Sequence, residues 1–215
     1  MPRRYDCTDV ADRTHGLREA ASAVRRGDLV VLPTDTVYGI GADAFNRTAV
    51  GDLLQAKGRG RTMPSPVLIG SPNTLHGLVT GLTETAWNLV DAFWPGALTI
   101  VARHQPSLTW DLGETRGTVA VRMPLHPVAL ELLKDVGPMA VSSANLTGRP
   151  APQDCDSAQD MLGDAVSVYL DGGPTADNIP SSIVDVTGPA PVLLRAGAIS
   201  AEELRKVVPG LETSL

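Results

Sequence analysis

The sequence predicts one α/β (α+β) domain, a twisted mixed β-sheet with helices packed against it. Three observations carry this. Amphipathic helical stretches alternate with short, mostly apolar runs of strand character along the chain. The apolar fraction of 43% is ordinary for a globular protein, yet aromatics make up only 4%, so the core rests on Val, Leu, Ile and Ala. A content of 21 glycines and 17 prolines provides turn positions for many short elements. At 215 residues the length allows one large domain or two small ones, given ~150 residues per domain. A fold of this mass hides roughly 70% of its unfolded surface, enough for a core without staples. No fixed-period repeat or low-complexity linker divides it, so residues 1–215 are read as one domain.

The elements follow in order. Thr14 and the stretch HGLREAASAVRR form a capped helix that Gly27 closes. Residues 28–33, DLVVLP, are a short buried strand. PTDTVYGIGADA, at 33–44, is read as a loop because Thr and Gly crowd it. Residues 46–57 make a second helix with Val50, Leu53 and Leu54 on one face. KGRGRTMPSP is a basic loop leading into a strand at 66–70. Further helices are expected over 72–80, 84–93, 126–135, 157–162 and 200–207. Further strands are expected over 97–103, 118–122, 138–142, 167–171, 182–186 and 191–195. The stretch 148–156 reads as a surface loop. Polar residues gather at strand ends, where sheets of this class place ligands.

Charge and cysteine usage exclude several classes. With 18 basic and 24 acidic side chains the net charge is −6, which argues against a broad basic face for a nucleic-acid duplex. Residues 1–61 nevertheless hold 10 basic and 8 acidic side chains, against 8 and 16 in the remainder. The chain has three lysines, Lys57, Lys134 and Lys206, and Lys57 places a point charge among arginine forks. Cys7 and Cys155 make neither a disulfide framework nor a zinc ligand set and read as reduced cytosolic thiols. No apolar segment follows the N-terminal cations, and no run approaches 18 uncharged apolar residues. A cytoplasmic protein without a membrane span is expected.

The motifs point to anion binding without a protein nucleophile. Gly39 to Ala44 matches G-x-G-x-x-A, but it follows a Thr-rich loop and the next helix begins several residues later, a poor dinucleotide context. There is no P-loop and no nucleophile elbow, and His15, His76, His104 and His126 pair with neither each other nor Cys, so no metal site is expected. Lys57-Gly-Arg59-Gly-Arg61 lets three cations and two glycine N–H groups converge on one phosphate or carboxylate, the bland alternative being a solvated basic turn. Ser142-Ser143-Ala-Asn145 follows the apolar run PMAV at a strand end. Ser181-Ser182 before IVDV, and Arg195 ending PVLLR, repeat that placement.

Seven segments, PTDTVYGIGADA, KGRGR, FWPGALTIV, TVAVRMPLHPVA, VSSANLTG, SSIVDVTG and VLLRAGAIS, resemble in order and spacing the YrdC family in its single-domain form. The match covers roughly residues 15–205, and the K-x-R…S-x-N combination is specific to the family. The resemblance implies a deep concave groove on a twisted sheet. It implies threonylcarbamoyl-adenylate synthesis from L-threonine, bicarbonate and ATP with Mg²⁺, releasing pyrophosphate. The product then serves threonylcarbamoyl transferase proteins acting on tRNA. Carried over, Lys57 and Arg59 are the catalytic cations, facing the nucleotide phosphates and the threonine carboxylate. Arg61, Thr118, Ser143, Asn145 and Arg195 join them at ATP, while Thr36, Arg122 and Ser181 hold threonine. The chain departs from the usual K-x-R-P-x-x-[KN]-P-L at Gly60 and in the run Met63-Pro64-Ser65-Pro66. It also lacks the histidine that some members carry in the following strand, here PVLIG.

The chemistry suits that assignment. Adenylation is an in-line displacement at the α-phosphorus, where positioning and charge neutralisation do most of the catalysis. The leading alternative is a non-catalytic double-stranded RNA or tRNA-binding module, which the acidic balance disfavours. RNA binding that survives high salt and ignores Lys57 would mark it. A carbamoyl-transfer enzyme of hydrogenase maturation would be a much longer chain with zinc-finger cysteines. A dihydroxybutanone phosphate synthase would show an acidic and histidine metal pattern.

Overall fold

The computed structural model of the protein describes residues 2–176 and 179–214. Along the first half run β1 (Arg3–Asp6), α1 (Val10–Arg26), β2 (Val30–Leu32), β3 (Gly39–Asp43), α2 (Arg47–Ala56) and β4 (Val67–Leu68). A short 3-10 turn (Pro72–Thr74), α3 (Leu75–Leu78), β5 (Val79–Thr80), α4 (Glu84–Phe93) and β6 (Leu98–His104) come next. The remainder holds β7 (Thr118–Arg122), α5 (Pro127–Val136), β8 (Met139–Ser143), α6 (Cys155–Leu162), a 3-10 turn (Gly163–Ala165) and β9 (Val168–Asp171). It ends with β10 (Ser182–Asp185), β11 (Val192–Arg195), α7 (Ala201–Val207) and β12 (Glu212–Thr213). Helix boundaries are set by side-chain caps: Asp9 on α1, Asn46 on α2, Thr83 on α4, Asp154 on α6 and a full capping box, Ser200 with Glu203, on α7.

All strands join one mixed sheet in the order β1-β9-β2-β3-β8-β4-β7-β6-β10-β11-β12, with β5 beside β6. The β2–β3–β8–β4 run is antiparallel, whereas β4–β7 and β6–β10 are parallel. Register assigns the faces. Opposite Val67 of β4 lie Val121 of β7 and Ala140 of β8, and opposite Ile100 of β6 lie Val121 and Val184. These residues share one apolar cluster with Leu89 and Val90 of α4 and Leu204 of α7. On the same face Val31, Ile40 and Ala42 pack under Leu53 of α2 and Ala158 of α6. The opposite face is covered by α1, through Ala20, Ala21, Ala23 and Val24, and by α5, through Val128, Ala129, Leu132 and Leu133.

That second cover stops partway across the sheet. In the covered half the strands are buried on both faces, as β2, β3, β8 and β9 show almost throughout. Beyond it β7 and β10 alternate buried with half-buried residues, because their second face meets no helix. The bare, curved face is the groove described below.

Three expectations need correction, and two strands lie outside them. PTDTVYGIGADA is not all loop: Gly39–Asp43 is β3, paired on both sides. Its glycines are spacing devices, since a Cβ at Gly39 would lie 2.6 Å from Val141 Cγ1 and one at Gly41 2.7 Å from Met139 Cε. Helix α1 begins at Val10 rather than at Thr14, because Asp9 accepts the Asp12 N–H at 2.9 Å and outcompetes the later cap. Residues 72–80 divide into a 3-10 turn, one helical turn and a strand, as Val79 and Thr80 pair with His104 and Arg103. Strands β1 and β12 were not legible, being short and polar and made only by their partners β9 and β11.

Candidate active site

The groove encloses about 690 Å³ on the face that α1 and α5 leave bare. Its floor is apolar, with Leu68, Val101, Ala120, Val141 and Ile183, each the groove-facing member of an alternating strand pair. Hydroxyls of Thr34, Thr36, Thr99, Ser142, Ser143 and Ser181 stand around it, and four arginines, Arg59, Arg122, Arg149 and Arg195, line it. No Asp or Glu is among the described lining residues. In a chain of net charge −6 this is a local reversal of sign, suited to a polyanion.

Arg122, at the end of β7, organises the first wall. Its Nη2 donates to Asp35 Oδ1 at 2.6 Å, Nη1 to Thr36 Oγ1 at 2.9 Å and Nε to the Gly96 carbonyl at 2.9 Å. Asp35 Oδ1 also accepts the Leu125 N–H at 2.9 Å, so the largely buried ion pair carries further hydrogen bonds on both partners. Burial lowers the Arg122 pKa, and the Asp35 charge opposes that shift. The turn between β2 and β3 is held by Thr34 Oγ1, which donates to the Val37 carbonyl at 2.6 Å.

The second wall comes from the basic loop and the end of β8. Arg59 Nη1 donates to Ser142 Oγ at 2.8 Å, and burial lowers its pKa. Lys57 closes α2 and is buried, 3% exposed. Its Nζ donates to the carbonyls of Ser143 and, at 2.6 Å, Asn145, while the Lys57 carbonyl accepts the Thr147 N–H at 2.9 Å. Burial, then the Arg59 charge, pushes the ammonium pKa down to about 8. Lys57 is therefore set behind the groove wall and is not among its described lining residues. Asn145 Nδ2 donates to the carbonyls of Leu146 at 2.9 Å and Arg149 at 2.7 Å. Asn145 Oδ1 and Arg59 Nε are buried without a partner among the described residues, which leaves each with bonding capacity for water or a ligand.

Opposite these, Ser181 Oγ meets Thr99 Oγ1 at 2.8 Å, and Arg195 donates to the Ser181 carbonyl through Nη2 at 2.6 Å and Nε at 3.0 Å. The structure thus brings Thr36, Arg59, Arg122, Ser143, Asn145, Ser181 and Arg195 to one groove. It does not bring Arg61 or Thr118 there. Arg61 is exposed and pairs with Asp111 at 2.8 Å, and Thr118 Oγ1 donates to the Thr115 carbonyl at 2.8 Å. The atypical Met63–Pro66 run is tied to the loop after β6: Glu114 N donates to the Arg61 carbonyl at 2.8 Å and Ser65 N to the Leu112 carbonyl at 3.3 Å. Pro64 and Pro66 reach the groove from that clasp.

Sequence reasoning missed Thr34, Asp35, Thr99 and Arg149. Period-2 alternation in LTIV was the available signal for Thr99, the others having none outside the folded chain. The Gly39–Gly41 pair lies inside an antiparallel ladder, not at a helix N-terminus, which removes the dinucleotide reading. Among the described residues no cluster of three or more His, Cys, Asp or Glu side chains is positioned to hold a metal ion. Among the described residues no helix is long and apolar enough to cross a membrane.

Comparison with known proteins agrees with this geometry. A Mycobacterium tuberculosis protein provisionally named a threonylcarbamoyl-AMP synthase is 55% identical over 97% of this chain and 96% of its own. The Bacillus subtilis threonylcarbamoyl-AMP synthase is 38% identical over 89% of this chain and 56% of its own. The crystal structure of P. abyssi Sua5 complexed with L-threonine superposes with a TM-score of 0.92 at 34% identity, covering 99% of this chain and 62% of that one. This chain thus spans about three fifths of those two longer proteins and nearly all of the mycobacterial one. The family description Sua5/YciO/YrdC, "Telomere recombination", matches residues 22–197, and the chain belongs to that family.

Proposed function

We propose that this protein is a threonylcarbamoyl-AMP synthase, a nucleotidyl-transferring enzyme that joins L-threonine, bicarbonate and ATP and releases pyrophosphate. The observation that carries the reading is a groove in which four arginines and six hydroxyls surround an apolar floor, with no Asp or Glu among the described lining residues. A relative with the same fold is described as complexed with L-threonine.

The threonine amine adds to bicarbonate, water leaves, and the resulting carbamate oxygen attacks the α-phosphorus in line. The α–β bridging bond breaks and pyrophosphate departs. No protein nucleophile is needed, so the groove's work is orientation and neutralisation of charge. Thr36, fixed by Arg122, and Ser181, fixed by Arg195 and Thr99, hold the threonine side. Arg59, Ser143, Asn145 and Arg195 serve the nucleotide, and Lys57 acts from behind by fixing the Ser143–Asn145 turn. Mg²⁺ enters as the ATP complex, held by phosphates and water. The carbamate is unstable in water, so a groove that excludes solvent once filled protects it. The product is consumed by threonylcarbamoyl transferases acting on tRNA, in the cytoplasm where ATP and tRNA are available.

The test is incubation with ATP, Mg²⁺ and bicarbonate and one amino acid at a time, reading pyrophosphate and the mass of the acyl-adenylate. Threonylcarbamoyl-adenylate formed only with threonine and bicarbonate both present is the expected result. Pyrophosphate release that continues equally in bicarbonate-free buffer rejects the reading.

A further inference from the structure

Three of the four groove arginines are already engaged with the protein: Arg59 with Ser142, Arg122 with Asp35, Thr36 and Gly96, and Arg195 with Ser181. Arg149 differs. It lines the groove, it is exposed, and its guanidinium makes no hydrogen bond or ion pair among the described residues. Its backbone is nevertheless fixed, because its carbonyl accepts Asn145 Nδ2 at 2.7 Å and its N–H donates to the Leu146 carbonyl at 3.0 Å. A free five-donor fork is thus mounted on a held turn, on the wall shared with Ser143 and Asn145.

We infer that Arg149 is a ligand-contacting residue whose guanidinium takes the β- and γ-phosphates of a nucleoside triphosphate. This rests on the proposed adenylation. Arginine forks match phosphate oxygens bidentately, and the described lining of the groove holds no carboxylate to compete for this one. Its place at the open rim suits the end of the phosphate chain that leaves. Because no described residue bonds its guanidinium, its contact is gained without breaking a bond seen there. The three engaged arginines also hold walls in place through their protein bonds.

The experiment compares Arg149→Gln and Arg149→Lys with the parent, and with Arg205→Gln on exposed α7 as an equal change in net charge. Equilibrium titrations with Mg²⁺-ATP, AMP and pyrophosphate are read beside KM for ATP and threonine and beside thermal unfolding. Loss of a charged hydrogen-bond pair predicts about 10- to 100-fold weaker ATP and pyrophosphate binding in Arg149→Gln. AMP affinity, threonine KM and unfolding temperature stay at parent values, and Arg149→Lys recovers part of the loss. ATP affinity equal to the parent overturns the assignment, as does an equal loss for AMP, which would put the contact on the nucleoside or α-phosphate. A loss matched by Arg205→Gln would reduce it to net charge and overturn it as well. The titrations need no turnover, so a parent that binds ATP but makes no threonylcarbamoyl-adenylate refutes the synthase reading separately.

Discussion

Lys57 Nζ donates to the Asn145 carbonyl at 2.6 Å and to the Ser143 carbonyl, joining the end of α2 to the end of β8 across 88 residues of sequence. The contact explains how a basic loop and a strand end share one wall of the groove. It also changes what a substitution there should do.

Lys57→Met should lose both activity and stability. Two buried carbonyls lose their donor, at about 1–3 kcal/mol for such a deficit, and the Ser143–Asn145 turn loosens. Thermal unfolding and single-turnover adenylate formation check this. A variant with parental stability and abolished turnover would instead place the ammonium on the substrate.

The depressed Lys57 pKa has a signed consequence. With about 8 in the folded protein against an ordinary 10.5, the unfolded chain binds more protons between those values. This group's contribution to stability therefore rises with pH across that window and is constant below it. Urea unfolding of parent and Lys57→Met at pH 7, 9 and 10.5 isolates it: the stability difference between the two should widen with pH in the parent's favour.

Asp35→Ala should be among the most damaging single changes. It leaves the Arg122 charge buried without its partner, costing about 3–5 kcal/mol, and frees Thr36 from its fixed position. Threonine KM should rise together with the loss of stability, and Arg61→Ala, at an exposed ion pair, should leave stability close to the parent's. Chemical denaturation of both variants tests the contrast.

Gly197→Ala should disturb Ser181 and, through it, Arg195. A Cβ at Gly197 would lie 2.5 Å from the Ser181 carbonyl carbon and from Ser182 N, so the backbone of that strand end must move. The expected outcome is a raised threonine KM together with weaker ATP binding, because Arg195 is anchored on the Ser181 carbonyl, measured by steady-state kinetics and ATP titration.

Serine should be a poorer substrate than threonine but not an excluded one. Recognition of one methyl group in an apolar pocket is worth about 1–3 kcal/mol, which caps discrimination at roughly 10- to 200-fold. Equal kcat/KM values for the two amino acids would show that no methyl pocket exists.

The local sequence determined the helices that carry their own caps and stripes, since α2, α4, α6 and α7 each begin at a side chain that binds the backbone N–H two or three residues on. It determined the buried strands, whose β-branched runs need no partner to be recognised, and the family, through motifs whose order survives translation into space. Tertiary structure alone decided the rest. β1, β3 and β12 exist because neighbours supply their hydrogen bonds, and Gly39 and Gly41 pass for loop residues until Val141 and Met139 are seen against them. Lys57 and Arg61 stand four residues apart in one basic run with nothing local to tell them apart. The ends of β8 and the Asp111 turn draw one into the protein and leave the other in solvent. Local pattern reports which groups a segment can offer, but burial and hydrogen-bond partners are set by chain brought from far away, and those decide which cation braces a wall and which reaches a ligand.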